Sequence, residues 1–142
     1  MLFKNILVVC VGNICRSPMA EYLFKRSYPQ LNIYSAGIAG MIGHAADAKA
    51  QHCMQLIGID MSGHIAQKLN AELIKKSDLI LVMSSNQLKH VEQTWPFAKG
   101  KTFRLGHWQS KNVPDPYQHD QAFFDETSLL IQSCVADWTK HI

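Results

Sequence analysis

The chain has no long apolar run. Its most hydrophobic stretch, Ile6 to Val11, falls well short of the about 20 residues that cross a bilayer. No cleavage-site pattern accompanies it, so membrane insertion is not expected and the protein is placed in the cytoplasm. A disulfide framework is also missing: the four cysteines, at positions 10, 15, 53 and 134, do not have the pattern of a secreted, cross-linked domain. Neither C-x-x-C nor H-E-x-x-H occurs, and the seven histidines are scattered, so no metal and no cofactor is indicated. There is no Lys/Arg run or basic stripe. The net charge of +3 is diffuse. That argues against a nucleic-acid partner, while suiting the attraction of an anionic substrate. Internal repeats, low-complexity segments and linkers are lacking too.

What remains is a chain of 142 residues, 47% hydrophobic and 18% charged, which is enough for one ordinary domain over residues 1–142. Asn5 to Val11 is a continuous apolar, β-branched run that suits a strand covered on both faces. Ser17 followed by Pro18 reads as an N-cap with proline at the first helical position, and that helix stops near Pro29. Leu31 to Ser35 is a short second strand, ended by Ala36-Gly37. Asp47 and Asn70 are expected to cap helices running to about Ile57 and Lys76, with Gly58 stopping the first. Asp78 to Met83 is a third strand, Ser84-Ser85 opens a helix that ends before Pro96, and Lys101 to Leu105 is a fourth strand. Asp120 caps a last helix whose Phe124, Ile131, Cys134, Val135 and Trp138 recur at helical steps. Alternating strands and helices predict an α/β fold, with a mostly parallel sheet and helices on both faces. Ligands of such sheets bind beyond the carboxyl ends of the strands.

The stretch from Cys10 to Pro18, which reads Cys-Val-Gly-Asn-Ile-Cys-Arg-Ser-Pro, lies at such an end. Five residues separate Cys10 from Arg16, so a thiolate and a guanidinium face each other across a tight strand-to-helix loop. Successive N–H groups of Val11, Gly12, Asn13, Ile14, Cys15, Arg16 and Ser17 can curl into an anion-binding nest, and the helix start adds its positive end. Gly12 tolerates unusual dihedrals, and Asn13 enters the left-handed region at modest cost. Arg16 offers a planar fork for two phosphoryl oxygens. Positive surroundings favour a cysteine thiolate as nucleophile. A merely buried strand cysteine is the competing reading of Cys10, and the coincidence of Cys, Arg, Ser and Pro at one junction argues against it. The aperiodic stretch 106–120 is long for a compact domain, which suggests a functional loop. Within it Asp115 stands between Pro114 and Pro116. A proton donor for a leaving phenolate is required somewhere, although an aspartate before a proline also simply opens turns.

Cys10 to Pro18, with Met19-Ala20-Glu21 after it, closely resembles the phosphate loop of low-molecular-weight protein tyrosine phosphatases. The resemblance runs through Ser35-Ala36-Gly37 to Asp115-Pro116-Tyr117. It implies a four-stranded parallel sheet in one domain. It also implies a phosphocysteine formed on Cys10, a phosphoryl group held by Arg16, and Asp115 as general acid and then general base. By the same resemblance Asn13 shapes the loop through a strained backbone, supported by Ser35 and His64. Ser17 steadies the thiolate, and Cys15 is positioned to trap an oxidised Cys10 as a disulfide. Met41 and Tyr117 would flank the aryl slot. A packed or surface histidine, an ordinary N-cap and a small residue that happens to fit remain the alternatives for His64, Ser17 and Cys15. Cys53 and Cys134, on apolar helix faces, are read as core.

An aliphatic residue at position 41, together with Gly106-His107-Trp108, resembles bacterial members that act on tyrosine autokinases in exopolysaccharide and capsule production. The expected partner is therefore a phosphotyrosine protein, and a monomer is expected. Gln118 follows Tyr117 and breaks the tyrosine pair of animal members. Three other readings stay open at this point. An arsenate reductase on the same fold would need relay cysteines, and the segment from Leu79 to Val91 has none. A protein-arginine phosphatase would tend to carry threonine in place of Ile14. A non-catalytic phosphotyrosine-binding module would need neither Cys10 nor Asp115.

Overall fold

A computed structural model describes residues 3–142. Its sheet is parallel throughout and has four strands: β1 (Asn5–Cys10), β2 (Asn32–Gly37), β3 (Leu79–Val82) and β4 (Thr102–Arg104). The helices are α1 (Arg16–Ser27), α2 (Ala48–Gln55), α3 (Ala71–Lys76), α4 (Ser85–Thr94) and α5 (Gln121–Thr139). The spatial strand order is β2-β1-β3-β4. The connection after β1 goes to one side and that after β2 returns to the other, so the carboxyl end of β1 is the switch point where open sheets bind ligands.

Alternation along β1 divides the core into two layers. Ile6, Val8 and Cys10 face the side packed by α1, α2 and α5, with Phe24, Met54, Phe124 and Trp138 fully or nearly buried there. Leu7 and Val9 face the opposite side, against Leu73, Ile74 and Val91 of α3 and α4. Strands buried on both faces need near-continuous apolar sequence, which β1 and β3 supply. Asp78 fastens the two strands at their start: its carboxylate accepts the amides of Lys4 and Asn5, both at 2.9 Å. These donors hold its carboxyl below the usual carboxylate range. Among the described residues no helix is long and apolar enough to cross a membrane.

Asp47, Asn70, Ser84 and Asp120 cap α2, α3, α4 and α5 through their side chains, as their positions in the sequence predict. Three local expectations are corrected. α1 begins at Arg16, its N-cap is Cys15 with no side-chain cap bond, and Ser17 lies inside the helix because its hydroxyl is engaged elsewhere. Ala36 and Gly37 continue β2 instead of ending it, with Gly37 opposite Cys10. A Cβ on Gly37 would lie 2.5 Å from the Val11 carbonyl oxygen, so only glycine lets the loop after β1 pack there. The unusual dihedral of that loop falls on Asn13, at φ 59°, and Gly12 has no positive φ.

Candidate active site

The loop from Cys10 to Ser17 is shaped by what its carbonyls do. Cys10 O accepts Ile38 N, Val11 O accepts Ala39 N, Gly12 O accepts Met41 N and Ile14 O accepts Asp47 N, at 2.9–3.0 Å. Asn13 O pairs with His64 Nε2 at 2.7 Å, which makes that ring nitrogen the donor. Cys15 O accepts Met19 N within the helix start. Every carbonyl from 10 to 15 is thus turned away from the loop's centre or into the helix. Among the described residues, no protein acceptor pairs with the amides of residues 11–17. A row of free donors around one point, next to a helix N-terminus, is a receptor for a tetrahedral anion.

Cys10 lies at the base of this cup and is 3% exposed. Ser17 Oγ stands 2.9 Å from its sulfur. Ser17 Oγ also accepts from Asn13 Nδ2 at 2.8 Å, which leaves the hydroxyl proton free to point at Cys10 Sγ. The same amide nitrogen donates to Ser35 Oγ at 2.8 Å, and Asn13 Oδ1 accepts Gln67 N at 2.9 Å. Ser35 in turn donates to the buried carboxylate of Glu21, which also pairs with Lys25. Asn13 is fully buried with both ends of its amide satisfied, which stabilises its left-handed backbone. Cys15 is buried beside the cup. Burial first, and then the charge of Asp47, push its thiol well above the ordinary range, so it is a protonated thiol at neutral pH.

Arg16 closes the loop with its side chain 5% exposed. Its Nη1 donates to Val113 O at 2.9 Å, and Nη2 lies 3.6 Å from Asp115 Oδ2. Asp115 is half exposed at the mouth, and its Oδ1 accepts the Tyr117 amide at 3.1 Å. Val113 is fastened from below, its amide donating to Met83 O at 2.8 Å. The pocket of about 120 Å³ is lined by Cys10, Val11, Gly12, Ile14, Cys15, Arg16, Ala39, Met41, Asp115 and Tyr117. A larger groove of about 640 Å³ lies at the amino end of β1 and β2, lined by Tyr28, Tyr34 and Lys76 among others, with no cysteine in its lining. Among the described residues no group of three His, Cys, Asp or Glu side chains is placed to hold a metal ion.

Cys10, Arg16, Asp115, Met41 and Tyr117 therefore meet around one cavity, and Asn13, Ser17, Ser35 and His64 form the network behind it. Sequence reasoning gave no role to Glu21, Gln67 and Val113. Glu21 follows directly on the motif, but its register alone does not reveal that it is buried. Val113 acts through its backbone carbonyl, which leaves no mark on residue type. Cys53 is buried as expected, and its sulfur also contacts Asp125 Oδ1 at 3.3 Å.

A parallel α/β sheet that ends its central strand in a thiol ringed by free amides, with an arginine closing the ring, defines a phosphate-handling enzyme. Residues 5–142 match the family model described as low molecular weight phosphotyrosine protein phosphatase. The chain belongs to that family and is a protein-tyrosine-phosphatase. It is 82% identical over 142 residues to the low molecular weight protein-tyrosine-phosphatase Ptp of Acinetobacter johnsonii, covering all of both chains. Among solved structures it is similar to Vibrio vulnificus Wzb in complex with benzylphosphonate: TM-score 0.94, 39% identity, 99% of each chain. The tyrosine phosphatase Wzb of Escherichia coli K30 in complex with sulphate gives TM-score 0.94 at 36% identity, covering 98% of each chain. These matches do not favour the arsenate reductase, arginine phosphatase or binding-module readings.

Proposed function

We propose that Cys10 is the nucleophile, Arg16 the phosphoryl clamp and Asp115 the acid–base group of phosphotyrosine hydrolysis. In the first step Cys10 Sγ attacks phosphorus while the bond from phosphorus to the tyrosyl oxygen breaks. Asp115 gives its proton to the departing oxygen, and a phosphocysteine remains. In the second step Asp115 takes a proton from water, whose oxygen attacks phosphorus. The sulfur–phosphorus bond breaks, the thiolate returns and inorganic phosphate leaves. The loop amides and Arg16 carry the charge on the equatorial oxygens in both steps. Cys15 is the thiol that would capture a sulfenic acid on Cys10.

The observation that carries this reading is the set of amides 11–17 around Cys10 that pair with no acceptor among the described residues. Met41 and Tyr117 in the lining suit a flat aromatic ring. The aliphatic Met41 and the Gly106-His107-Trp108 segment support a tyrosine autokinase of exopolysaccharide or capsule production as the substrate, met in the cytoplasm by a phosphatase monomer.

The test is a rapid acid quench of the enzyme during turnover of a ³²P-labelled phosphotyrosine peptide. Label is expected on the Cys10 peptide. Turnover with no label on that sulfur would overturn the assignment. Capture of a phosphorylated autokinase by the Asp115→Ala enzyme is the matching test of the substrate.

A further inference from the structure

The turn that carries Asp115 is fastened very differently at its two ends. On the upstream side Asn112 Oδ1 accepts Arg104 Nη1 at 3.0 Å and Ser85 N at 3.1 Å. Val113 follows, 1% exposed, with its amide on Met83 and its carbonyl on Arg16. On the downstream side the bonds are internal to the turn: Tyr117 N to Asp115 Oδ1 and His119 N to Pro116 O. Gln118 sits at φ 66°, a conformation that costs a non-glycine residue energy and has to be held by its surroundings.

Among the described residues, one hydrogen bond from outside ties this downstream half to the rest of the fold. Lys49 Nζ donates to His119 O at 2.7 Å. Lys49 is rooted in the first turn of α2, where its amide is capped by Asp47. The Asp47 amide is in turn the group that holds Ile14 O of the phosphate loop. Gln121 Nε2 donates back to Lys49 O at 3.2 Å, and the His119 ring stacks on Phe123 at 4.3 Å, which anchors the receiving end to α5. Ile14, Asp47, Lys49 and His119 thus form a short bridge from the loop that holds the phosphoryl group to the turn that holds the proton donor.

We propose that Lys49 is a positioning residue, setting the reach of Asp115 over the departing oxygen by clamping His119. This rests on the role given to Asp115 above. Lys49 does not line the pocket, so it acts on placement of the acid and not on phosphate binding. Proton donation matters most for a basic leaving group, and a misplaced acid is felt there first.

The experiment compares Lys49→Met, Lys49→Arg, Asp115→Ala and the double variant Lys49→Met/Asp115→Ala. Substrates are phenyl phosphate, whose leaving group is basic, and an aryl phosphate with a strongly acidic phenol. Lys49→Met is expected to lower kcat/KM for phenyl phosphate, which reports departure of the phenol, by about three- to tenfold, the worth of one hydrogen bond. It should change kcat/KM for the activated ester little and leave the Ki for inorganic phosphate unaltered. Lys49→Arg should restore most of the loss. In the Asp115→Ala background, removal of Lys49 should cost nothing further. An equal loss on both esters, or the same loss with Asp115 already gone, would overturn the positioning role while leaving the Asp115 assignment intact. Absence of leaving-group selectivity in Asp115→Ala itself would overturn the underlying assignment instead.

Discussion

Asp115 Oδ2 faces Arg16 Nη2 across 3.6 Å, the carboxylate half in solvent and the guanidinium 5% exposed. The same guanidinium reaches, with its other terminal nitrogen, the carbonyl two residues before that aspartate. The residues proposed as phosphoryl clamp and proton donor are therefore built as one unit. Substitutions at either end should be read for effects on both.

Replacing Asp115 by alanine is expected to slow hydrolysis of phenyl phosphate by about 10²–10⁴-fold, the usual worth of general acid catalysis. The loss should shrink as the leaving phenol becomes more acidic. A kcat/KM series over substituted phenols measures it, and a loss of constant size would remove Asp115 as the acid.

The four thiols should separate by reactivity. Burial pushes Cys53 and Cys134 up to about 11, and Cys15 higher still. Brief iodoacetate treatment at neutral pH should therefore spare all three and mark Cys10, with protection by inorganic phosphate. Peptide mass mapping reads the outcome. Prior labelling of Cys15 would contradict the picture of the cup. Cys10→Ser should keep phosphate-ester binding and lose turnover.

Asn13→Ala removes a buried amide that serves Ser17, Ser35 and Gln67 and leaves an alanine in the left-handed region. A loss of about 1–3 kcal/mol in stability is expected from such a site. It is read from the midpoint of urea unfolding, together with a fall in kcat. An unchanged midpoint would mean that the loop keeps its shape without this residue.

Asp78 gives a pH prediction away from the site. Two amides hold its folded carboxyl below the unfolded value. Its contribution is complete above the unfolded carboxylate range and is lost as pH falls through the lower, folded value. Asp78→Asn should lower the melting temperature at neutral pH and leave a shallower decline toward acid. Melting curves across that range measure the slope, and an unaltered slope would mean that the two amide bonds contribute nothing to folding.

Much of this arrangement was legible in the chain itself. β1 is a run of apolar residues that fits only a strand covered on both sides. The four capping side chains sit where their helices begin, and the spacing from Cys10 to Arg16 locates the loop. Ser17 was legible only through the resemblance: a serine before a proline looks like a cap, but its hydroxyl is drawn to a sulfur seven residues away in sequence. Glu21 was silent because a carboxylate on a helix is normally solvated, and only tertiary packing brings Ser35 and Lys25 to it. Bonds made by main-chain atoms, such as Val113 O to Arg16 and Ile14 O to Asp47, lie beyond any reading of side-chain identity.

The outward carbonyls of residues 10–14 have a thermodynamic consequence. Ile38, Ala39 and Met41 from one stretch, Asp47 from a second and the His64 side chain from a third each fix one peptide plane of the loop. Ordering of the receptor is thus completed during folding. An arriving oxyanion loses its own motional freedom and its hydration but freezes no peptide groups, which favours tight capture of even a small, featureless ion.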